Sequence, residues 1–158
     1  MLYAFLYALH TTYSGFNVFR YITFRTLLAG LLALSVSFVL GPWLIARLTA
    51  LKAGQPIRSD GPAAHLSKAG TPTMGGALIL FSLTLATVLL ADLTNPYIWL
   101  VLGVTMGFGL IGFLDDYQKL SQQNSVGLRG TYKLLAQGVI AFAAALWLFN
   151  QPTFESTL

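Results

Sequence analysis

Two adjacent carboxylates, Asp115 and Asp116, directly follow an apolar run and are the residues best suited to chemistry. At the C-terminal end of a helix they would repel each other and oppose the helix macrodipole, each effect costing about 0.3–1 kcal/mol. Such a pair suits Mg²⁺, which takes one or two carboxylates together with phosphate oxygens. Because neighbouring helical residues point about 100° apart, one aspartate could meet a metal or phosphate while the other accepts a proton or braces a cation. A solvated pair that merely ends a membrane span is the alternative.

A second candidate site is a stretch rich in Gly, Pro and Thr that begins at His65 and leads into an apolar run. Thr73 could cap a helix that starts at the next residue, and Gly75 and Gly76 would let a phosphate approach the free amides of its first turn. Lys68 could add a positive charge, and His65 could act as a base or a phosphate donor. The alternative is an ordinary span boundary, where glycine, proline and a lysine are common.

Three further basic residues, Lys119, Arg129 and Lys133, lie in or beside the segment that follows the aspartates. They are most simply explained as markers of the cytoplasmic side of a membrane protein. Lys133 is the best functional candidate among them, because it stands directly before an apolar run, at a depth where an ammonium group could meet a lipid phosphate.

The elements that must position these residues are membrane spans. Of the 158 residues 56% are hydrophobic and only 9% are charged, against about 25% charged in an ordinary soluble domain. The apolar residues come in long runs, which predicts an all-α integral membrane protein of one domain with spans over residues 26–46, 74–91, 96–114 and 134–149. Eight aromatic residues among the first 24 predict a short helix at the membrane interface.

The distribution of basic residues predicts the orientation of the spans. The segments 47–73 and 115–133 hold seven Lys and Arg residues, whereas 92–95 holds none and only two precede the first span. By the positive-inside rule both basic segments face the cytoplasm and both chain ends face outward. The absence of cysteine excludes a disulfide or thiolate site, and no basic run supports nucleic-acid binding.

Two strings of residues resemble those of a known enzyme superfamily. Lys-Ala-Gly-Thr-Pro-Thr-Met-Gly-Gly at residues 68–76 and Phe-Leu-Asp-Asp-Tyr at 113–117 are similar to motifs of the polyprenyl-phosphate N-acetylhexosamine-1-phosphate transferases, and most closely to their peptidoglycan branch. Residues 13–19, 23–25 and 60–62 resemble the same branch, so the similarity runs through nearly the whole chain. The sugar-linking branches usually show an Arg-Leu-Gly-Gly type of ending where this chain has Thr-Met-Gly-Gly.

The resemblance implies transfer of phospho-N-acetylmuramoyl-pentapeptide from UDP-MurNAc-pentapeptide to undecaprenyl phosphate, giving lipid I and UMP, with Mg²⁺ as cofactor. It implies a bacterial inner-membrane enzyme with cytoplasmic active-site loops that is a homodimer at full length. It assigns the catalytic and metal-binding roles to Asp115 and Asp116. The substrate-binding positions that it implies are Lys68, Thr73, Gly75, Gly76 and Lys133.

Members of this superfamily have many more spans than this chain, and their site is completed by a third aspartate and a histidine-rich cytoplasmic loop from the C-terminal half. We therefore expect the chain to be the N-terminal part of such an enzyme and to be inactive alone. The alternative function is a non-catalytic membrane scaffold or an ion-binding subunit, for which four spans would suffice.

Overall fold

The computed structural model describes residues 2–50, 75–122 and 127–151, and all regular structure in those ranges is helical. The elements in chain order are α1 (Leu2–Ala8), two 3₁₀ helices (Leu9–Thr11 and Ser14–Arg20), α2 (Ile22–Ala50), α3 (Gly75–Leu90), α4 (Pro96–Ser121) and α5 (Gly130–Phe149). The predicted all-α membrane architecture is confirmed.

Three of the helices are long and apolar enough to cross a bilayer. They are α2, α4 and α5, with 29, 26 and 20 residues. Helix α3 is apolar but has 16 residues, or about 24 Å at 1.5 Å per residue, against about 30 Å of hydrocarbon. Each of the four predicted spans thus coincides with a helix, and the membrane crossing of α3 stays a prediction.

The N-terminal segment is a chain of short helices rather than the single interfacial helix that we predicted. Its aromatic side chains stack on one another, for example Tyr3 on Tyr7 and Phe16 on Phe19. Arg25 of α2 lies over the ring of Tyr3, with its guanidinium carbon 3.9 Å from the ring centroid, and so ties the segment to the first long helix. Helix α1 ends at Ala8, and Thr12 and Tyr13 separate the two 3₁₀ helices that follow it.

Helix α3 packs between α2 and α4 through small residues. Ser82, which is 1% exposed, accepts a hydrogen bond of 3.0 Å from the hydroxyl of Ser37 on α2. Gly41 of α2 leaves room for Leu78, and a Cβ at Gly109 of α4 would overlap Leu80. Small residues allow membrane helices to approach closely, so these positions set the distance of α3 from both neighbours.

A short turn reverses the chain between α3 and α4. The carboxylate of Asp92 accepts hydrogen bonds from the hydroxyl and the backbone amide of Thr94, which hold the pKa of Asp92 below its usual value. Asn95 caps α4 by accepting from the amide of Tyr97 at 2.9 Å, and Pro96 occupies the first helical position. The turn makes α4 antiparallel to α3, so the start of α3 and the last turns of α4 lie at the same end of the bundle.

Two helix boundaries differ from the predicted spans near the candidate site. Helix α4 does not stop at residue 114 but continues to Ser121, so Asp115 and Asp116 lie inside the helix and our placement of them at its C-terminus is wrong. The helix continues because Lys119 in the last turn complements the macrodipole and pairs with both carboxylates. Helix α5 begins at Gly130, so Lys133 lies within its first turn rather than before it.

Candidate functional site

Asp115 is a charged residue that is only 8% exposed and is bound from three directions. Its Oδ2 lies 2.7 Å from Nζ of Lys119 on the same helix, and its Oδ1 lies 2.7 Å from Nζ of Lys133 on α5. Oδ1 also accepts a hydrogen bond of 2.7 Å from the backbone amide of Leu128. A buried carboxylate needs such partners, and this one connects α4, the following segment and α5.

Two features of the local sequence produce this arrangement. Lys119 follows Asp115 by four residues, which brings the two side chains together on one face of α4. Gly127 then passes so close to the carboxylate that an added Cβ would overlap Oδ1 of Asp115 and lie 2.7 Å from Cε of Lys119. Glycine at residue 127 therefore allows the amide of Leu128 to reach the carboxylate.

Asp116 has a different environment although it is the next residue. Its side chain is 30% exposed, against 11% for Asp115, and its Oδ1 is 3.6 Å from Nζ of Lys119. The difference follows from the angle of about 100° between neighbouring helical residues. Of the roles that the sequence left open, Asp115 has the one that holds cations in place, here the ammonium groups of Lys119 and Lys133. Asp116 is the more accessible carboxylate. The formal charges of this carboxylate–lysine cluster, namely Asp115, Asp116, Lys119 and Lys133, sum to zero.

A groove of about 600 Å³ runs between α3 and α4 and ends at the aspartates. Gly76 at the start of α3 and both Asp115 and Asp116 line its polar end, while apolar side chains such as Leu110 line the rest. Gly75 is exposed beside Gly76 in the first turn of α3, and an added Cβ would meet nothing at either glycine. The structure therefore brings the first turn of α3 and the aspartate pair to one opening.

The remaining predicted site residues divide into two groups. His65, Lys68 and Thr73 lie outside the described residues, so their roles stay predictions. Lys133 does lie at the site, but it pairs with the carboxylate of Asp115, whereas we expected its ammonium group to face a lipid phosphate.

Sequence reasoning missed three contributors to the site. We read Lys119 as a marker of topology, although its four-residue spacing from Asp115 could have predicted the ion pair. Gly127 and the amide of Leu128 carry no comparable signal, because their role depends on how the segment after α4 folds back.

The donor set at the site restricts how Mg²⁺ could bind. No group of three or more His, Cys, Asp or Glu side chains in the described ranges could form a metal site by itself. Mg²⁺ usually binds through one or two carboxylates and completes its shell with water and phosphate oxygens. Asp116 fits that requirement, whereas both oxygens of Asp115 already accept from lysines or an amide. The residues thus fit a Mg²⁺ held through Asp116 rather than one shared by both aspartates.

The fold and the site together define a helical integral membrane protein with a carboxylate–lysine cluster at the mouth of an intramembrane groove. Residues 68–80 match a family model described as phospho-N-acetylmuramoyl-pentapeptide-transferase signature 1. The chain is 58% identical to the phospho-N-acetylmuramoyl-pentapeptide-transferase of Syntrophus aciditrophicus, 57% to that of Desulfatibacillum aliphaticivorans and 51% to that of Pelobacter propionicus.

Each of these alignments covers all 158 residues of this chain but 44% of the relative. The chain therefore spans less than half the length of the curated relatives it matches. It belongs to the phospho-N-acetylmuramoyl-pentapeptide-transferase family and corresponds to the N-terminal part of its members. The resemblance stated from the residues alone is confirmed.

Proposed function

We propose that this chain forms the N-terminal part of an enzyme that transfers phospho-N-acetylmuramoyl-pentapeptide from UDP-MurNAc-pentapeptide to undecaprenyl phosphate in the bacterial inner membrane. The products are lipid I, a peptidoglycan precursor, and UMP. The observation that carries the proposal is the placement of Asp115 and Asp116 at the polar end of a membrane groove, next to two lysines. The reaction itself is inferred from the family to which the chain belongs.

The chemistry of this reaction explains why such a cluster is useful. An oxygen of the lipid phosphate forms a bond to the phosphorus that carries the sugar, and the bond from that phosphorus to UMP breaks. Both reactants are anions, so catalysis requires positioning and charge neutralisation more than covalent participation. Lys119 and Lys133 are held in place by Asp115, which makes Asp115 a positioning residue in this proposal.

Asp116 is the residue that would contact the reacting groups. Its accessible carboxylate opens onto the groove, where it could accept the proton of the lipid phosphate or hold Mg²⁺ against a phosphate oxygen. When bound, Mg²⁺ supplies positive charge to the diphosphate. His65, Lys68 and Thr73 would complete the phosphate-binding side, together with the backbone amides near Gly75.

The orientation predicted from the basic residues agrees with this assignment. Nucleotide-activated sugars are made in the cytoplasm, and the basic segments predict that the aspartate end of the bundle faces the same compartment. The proposed partners are thus the nucleotide substrate, undecaprenyl phosphate and the bilayer, with a second copy of the full-length protein as the homodimer partner.

A non-catalytic scaffold or ion-binding subunit is the competing function, and the three bonds to the Asp115 carboxylate favour it. A carboxylate so fully bound can stabilise a bundle without any reaction. The two functions differ in what they predict for Asp116, because a scaffold gives that residue no chemical role.

The test is conversion of labelled UDP-MurNAc-pentapeptide into butanol-extractable lipid in membranes. We expect no turnover by the 158-residue chain alone, and turnover when it is co-expressed with the C-terminal half of a relative. Asp116→Asn in the same pair should lower turnover by about 10²–10³ at unchanged membrane levels. Turnover that Asp116→Asn leaves unchanged would overturn the proposed role of this aspartate, and no turnover in any complemented pair would favour the scaffold.

A further inference from the structure

Helix α2 packs against α3 in a register that two contacts define. The hydroxyl of Ser37 donates to the hydroxyl of Ser82 at 3.0 Å. Gly41, four residues later on α2, lies against Leu78, four residues earlier on α3. Moving forward along α2 therefore corresponds to moving back along α3 by the same number of residues, as in an antiparallel pair. These two contacts fix α2 on α3 as far as Gly41.

The same register shows where the packing between the two helices ends. It puts Gly75, the first residue of α3, opposite Leu44 of α2. Helix α2 nevertheless continues to Ala50, so its last six residues, about 9 Å of helix, run past the start of α3. Within the described residues no turn of α3 lies beside this part of α2.

Pro42 interrupts the backbone hydrogen bonds of α2 at the same level. Proline has no amide hydrogen, so the carbonyl oxygen of Phe38 receives no helical hydrogen bond from residue 42, and the proline ring crowds that carbonyl. Proline is one of the few causes of sharp bends in helices. Gly41 before it has no Cβ to clash with the ring and adds backbone freedom. The weakest point of the α2 backbone thus lies where its packing on α3 ends.

We infer that Gly41–Pro42 is a hinge and that the segment after it, residues 43–50, is an arm that bends relative to α3. A bend of about 20° would displace the end of the arm by about 4 Å, because eight residues of helix measure about 12 Å. Arg47 is the only charged residue of the arm, so the bend moves one positive charge.

The consequence for the reaction rests on the proposed function. Helix α4, with both aspartates, lies on one side of the first turn of α3, and the base of the arm lies on the other. The chain leaves the arm at Ala50 and returns at Gly75, so the predicted phosphate-binding residues between them are covalently attached to the arm. A bend at Pro42 would change how these residues approach the aspartates, and a stiffer α2 should slow turnover.

Two spin-label pairs compare the arm with the part of α2 that is fixed on α3. The chain has no cysteine, so labels attach only where a cysteine is introduced. Ile79 of α3 lies opposite residue 40, and Leu31 and Thr49 lie nine residues to either side of that level, on the same side of α2. Pulsed EPR in nanodiscs should give a Thr49–Ile79 distance distribution that is broader than the Leu31–Ile79 distribution by about 4 Å.

Pro42→Ala is the variant that removes the hinge. It restores an amide hydrogen for the carbonyl of Phe38 and introduces a better helix former, so the helix is retained. The Thr49–Ile79 distribution should narrow to the width of the Leu31–Ile79 distribution, which should not change.

Turnover is measured in membranes of cells that also make the C-terminal half of a relative. Pro42→Ala should lower lipid I formation about threefold or more at unchanged protein level, as expected when a conformational step is slowed. Val39→Ala is the control, because it lies on the same helix and its amide hydrogen is present before and after the change. It should alter neither turnover nor the spin-label distances.

The outcomes separate the hinge from the proposed reaction. A Thr49–Ile79 distribution as narrow as that of the fixed pair, or one that Pro42→Ala leaves unchanged, would overturn the inference. A distribution that narrows in Pro42→Ala while turnover stays normal would overturn the role of the hinge in the reaction. If the unmodified complemented pair makes no lipid I, the proposed function fails, and the spin-label distances still decide whether α2 bends.

Discussion

Lys133 in the first turn of α5 holds its ammonium nitrogen 2.7 Å from Oδ1 of Asp115 on α4, while Lys119 occupies the other oxygen of that carboxylate. The two lysine side chains are 33% and 25% exposed, so both are partly withdrawn from water. The contact between Asp116 and Lys119 is longer, at 3.6 Å. The two aspartates should therefore respond differently to the same substitution.

Asp115→Asn should destabilise the chain, because it leaves two ammonium groups without their carboxylate. The free energy of unfolding should fall by about 1–3 kcal/mol, less than the 3–5 kcal/mol of a fully buried pair because the lysines are partly exposed. Asp116→Asn should change the free energy of unfolding by about 0.5 kcal/mol or less, because its side chain is partly exposed and its ion pair with Lys119 is long. Denaturation in detergent micelles, followed by circular dichroism, measures both. Equal losses of stability would contradict the division of roles.

In a complete protein that contains this chain, Asp116→Asn should lower kcat by about 10²–10³, as expected for loss of a group that stabilises transition-state charge. Asp115→Asn should also reduce turnover, because less protein folds and because Lys119 and Lys133 are no longer held in place. Activity per folded molecule, from lipid I formation divided by correctly inserted enzyme, separates the two effects. Near-normal turnover of Asp116→Asn would exclude its chemical role.

Lys133→Met should loosen the N-terminal end of α5, because it removes the ion pair that joins that end to α4. Spin labels on the exposed positions Tyr117 and Tyr132 should then show a broader and longer distance distribution. Lys119→Met is the matched control, since Lys119 and Asp115 belong to the same helix and their pair does not connect α4 to α5. An identical distribution in Lys133→Met and the unmodified chain would show that the ion pair does not hold α5.

Gly127→Ala should disturb the site although it adds only one methyl group. The added Cβ overlaps Oδ1 of Asp115, so the carboxylate or the backbone must shift, at a cost of about 1–3 kcal/mol. Gly130→Ala is the control, because a Cβ there meets nothing and alanine is the better helix former by about 1 kcal/mol. Thermal unfolding of both variants is the measurement, and a neutral Gly127→Ala would refute the close approach.

Ser82→Val should destabilise the contact between α2 and α3, since Ser82 is the most buried residue of that interface and its hydroxyl bonds to Ser37. Overpacking and loss of the bond together should cost about 1–3 kcal/mol, of which the hydrogen bond contributes about 0.6. Ser35→Val provides the comparison, because the hydroxyl of Ser35 donates to the carbonyl of Leu31 in its own helix. A cost for Ser35→Val as large as that for Ser82→Val would assign the effect to helix propensity.

Cysteine labelling in intact cells tests the orientation. A cysteine at Gln122, which directly follows α4, should react only with a reagent that reaches the cytoplasm, and one at Thr94 should react with an impermeant reagent from outside. The opposite pattern would place the carboxylate–lysine cluster away from the nucleotide substrate and exclude the proposed reaction.

The sequence predicts the helices and the aspartate pair because both depend on local patterns. Apolar runs of span length define the helices, and two adjacent carboxylates at a membrane edge are conspicuous. The end of α4 was misplaced because hydropathy falls at Asp115 while helix propensity continues through Lys119. A hydropathy pattern reports where the membrane ends and not where the helix ends.

The contacts of the site were less predictable because they join distant positions. Lys133 is 18 residues from Asp115, and their pairing requires the chain to fold back after α4 and α5 to start before the lysine. The need for glycine at residue 127 follows from that same fold-back, so no local pattern indicates it. The groove likewise depends on the register of α3 against α4, which the packing of Leu80 on Gly109 sets.

The attachment of α5 has a mechanical consequence. None of its residues is buried; it joins α4 through the ion pair of Lys133, through Ile140 on Gly107 and through Trp147 against Tyr97. The first of these contacts is electrostatic and the other two are apolar, so salt and anions weaken the first and not the others. An anion or a high salt concentration that competes for Lys133 therefore acts on that contact alone. Helix α5 would then pivot about its C-terminal half, and its N-terminal end would move away from the carboxylate–lysine cluster while the other two contacts hold the helix on α4.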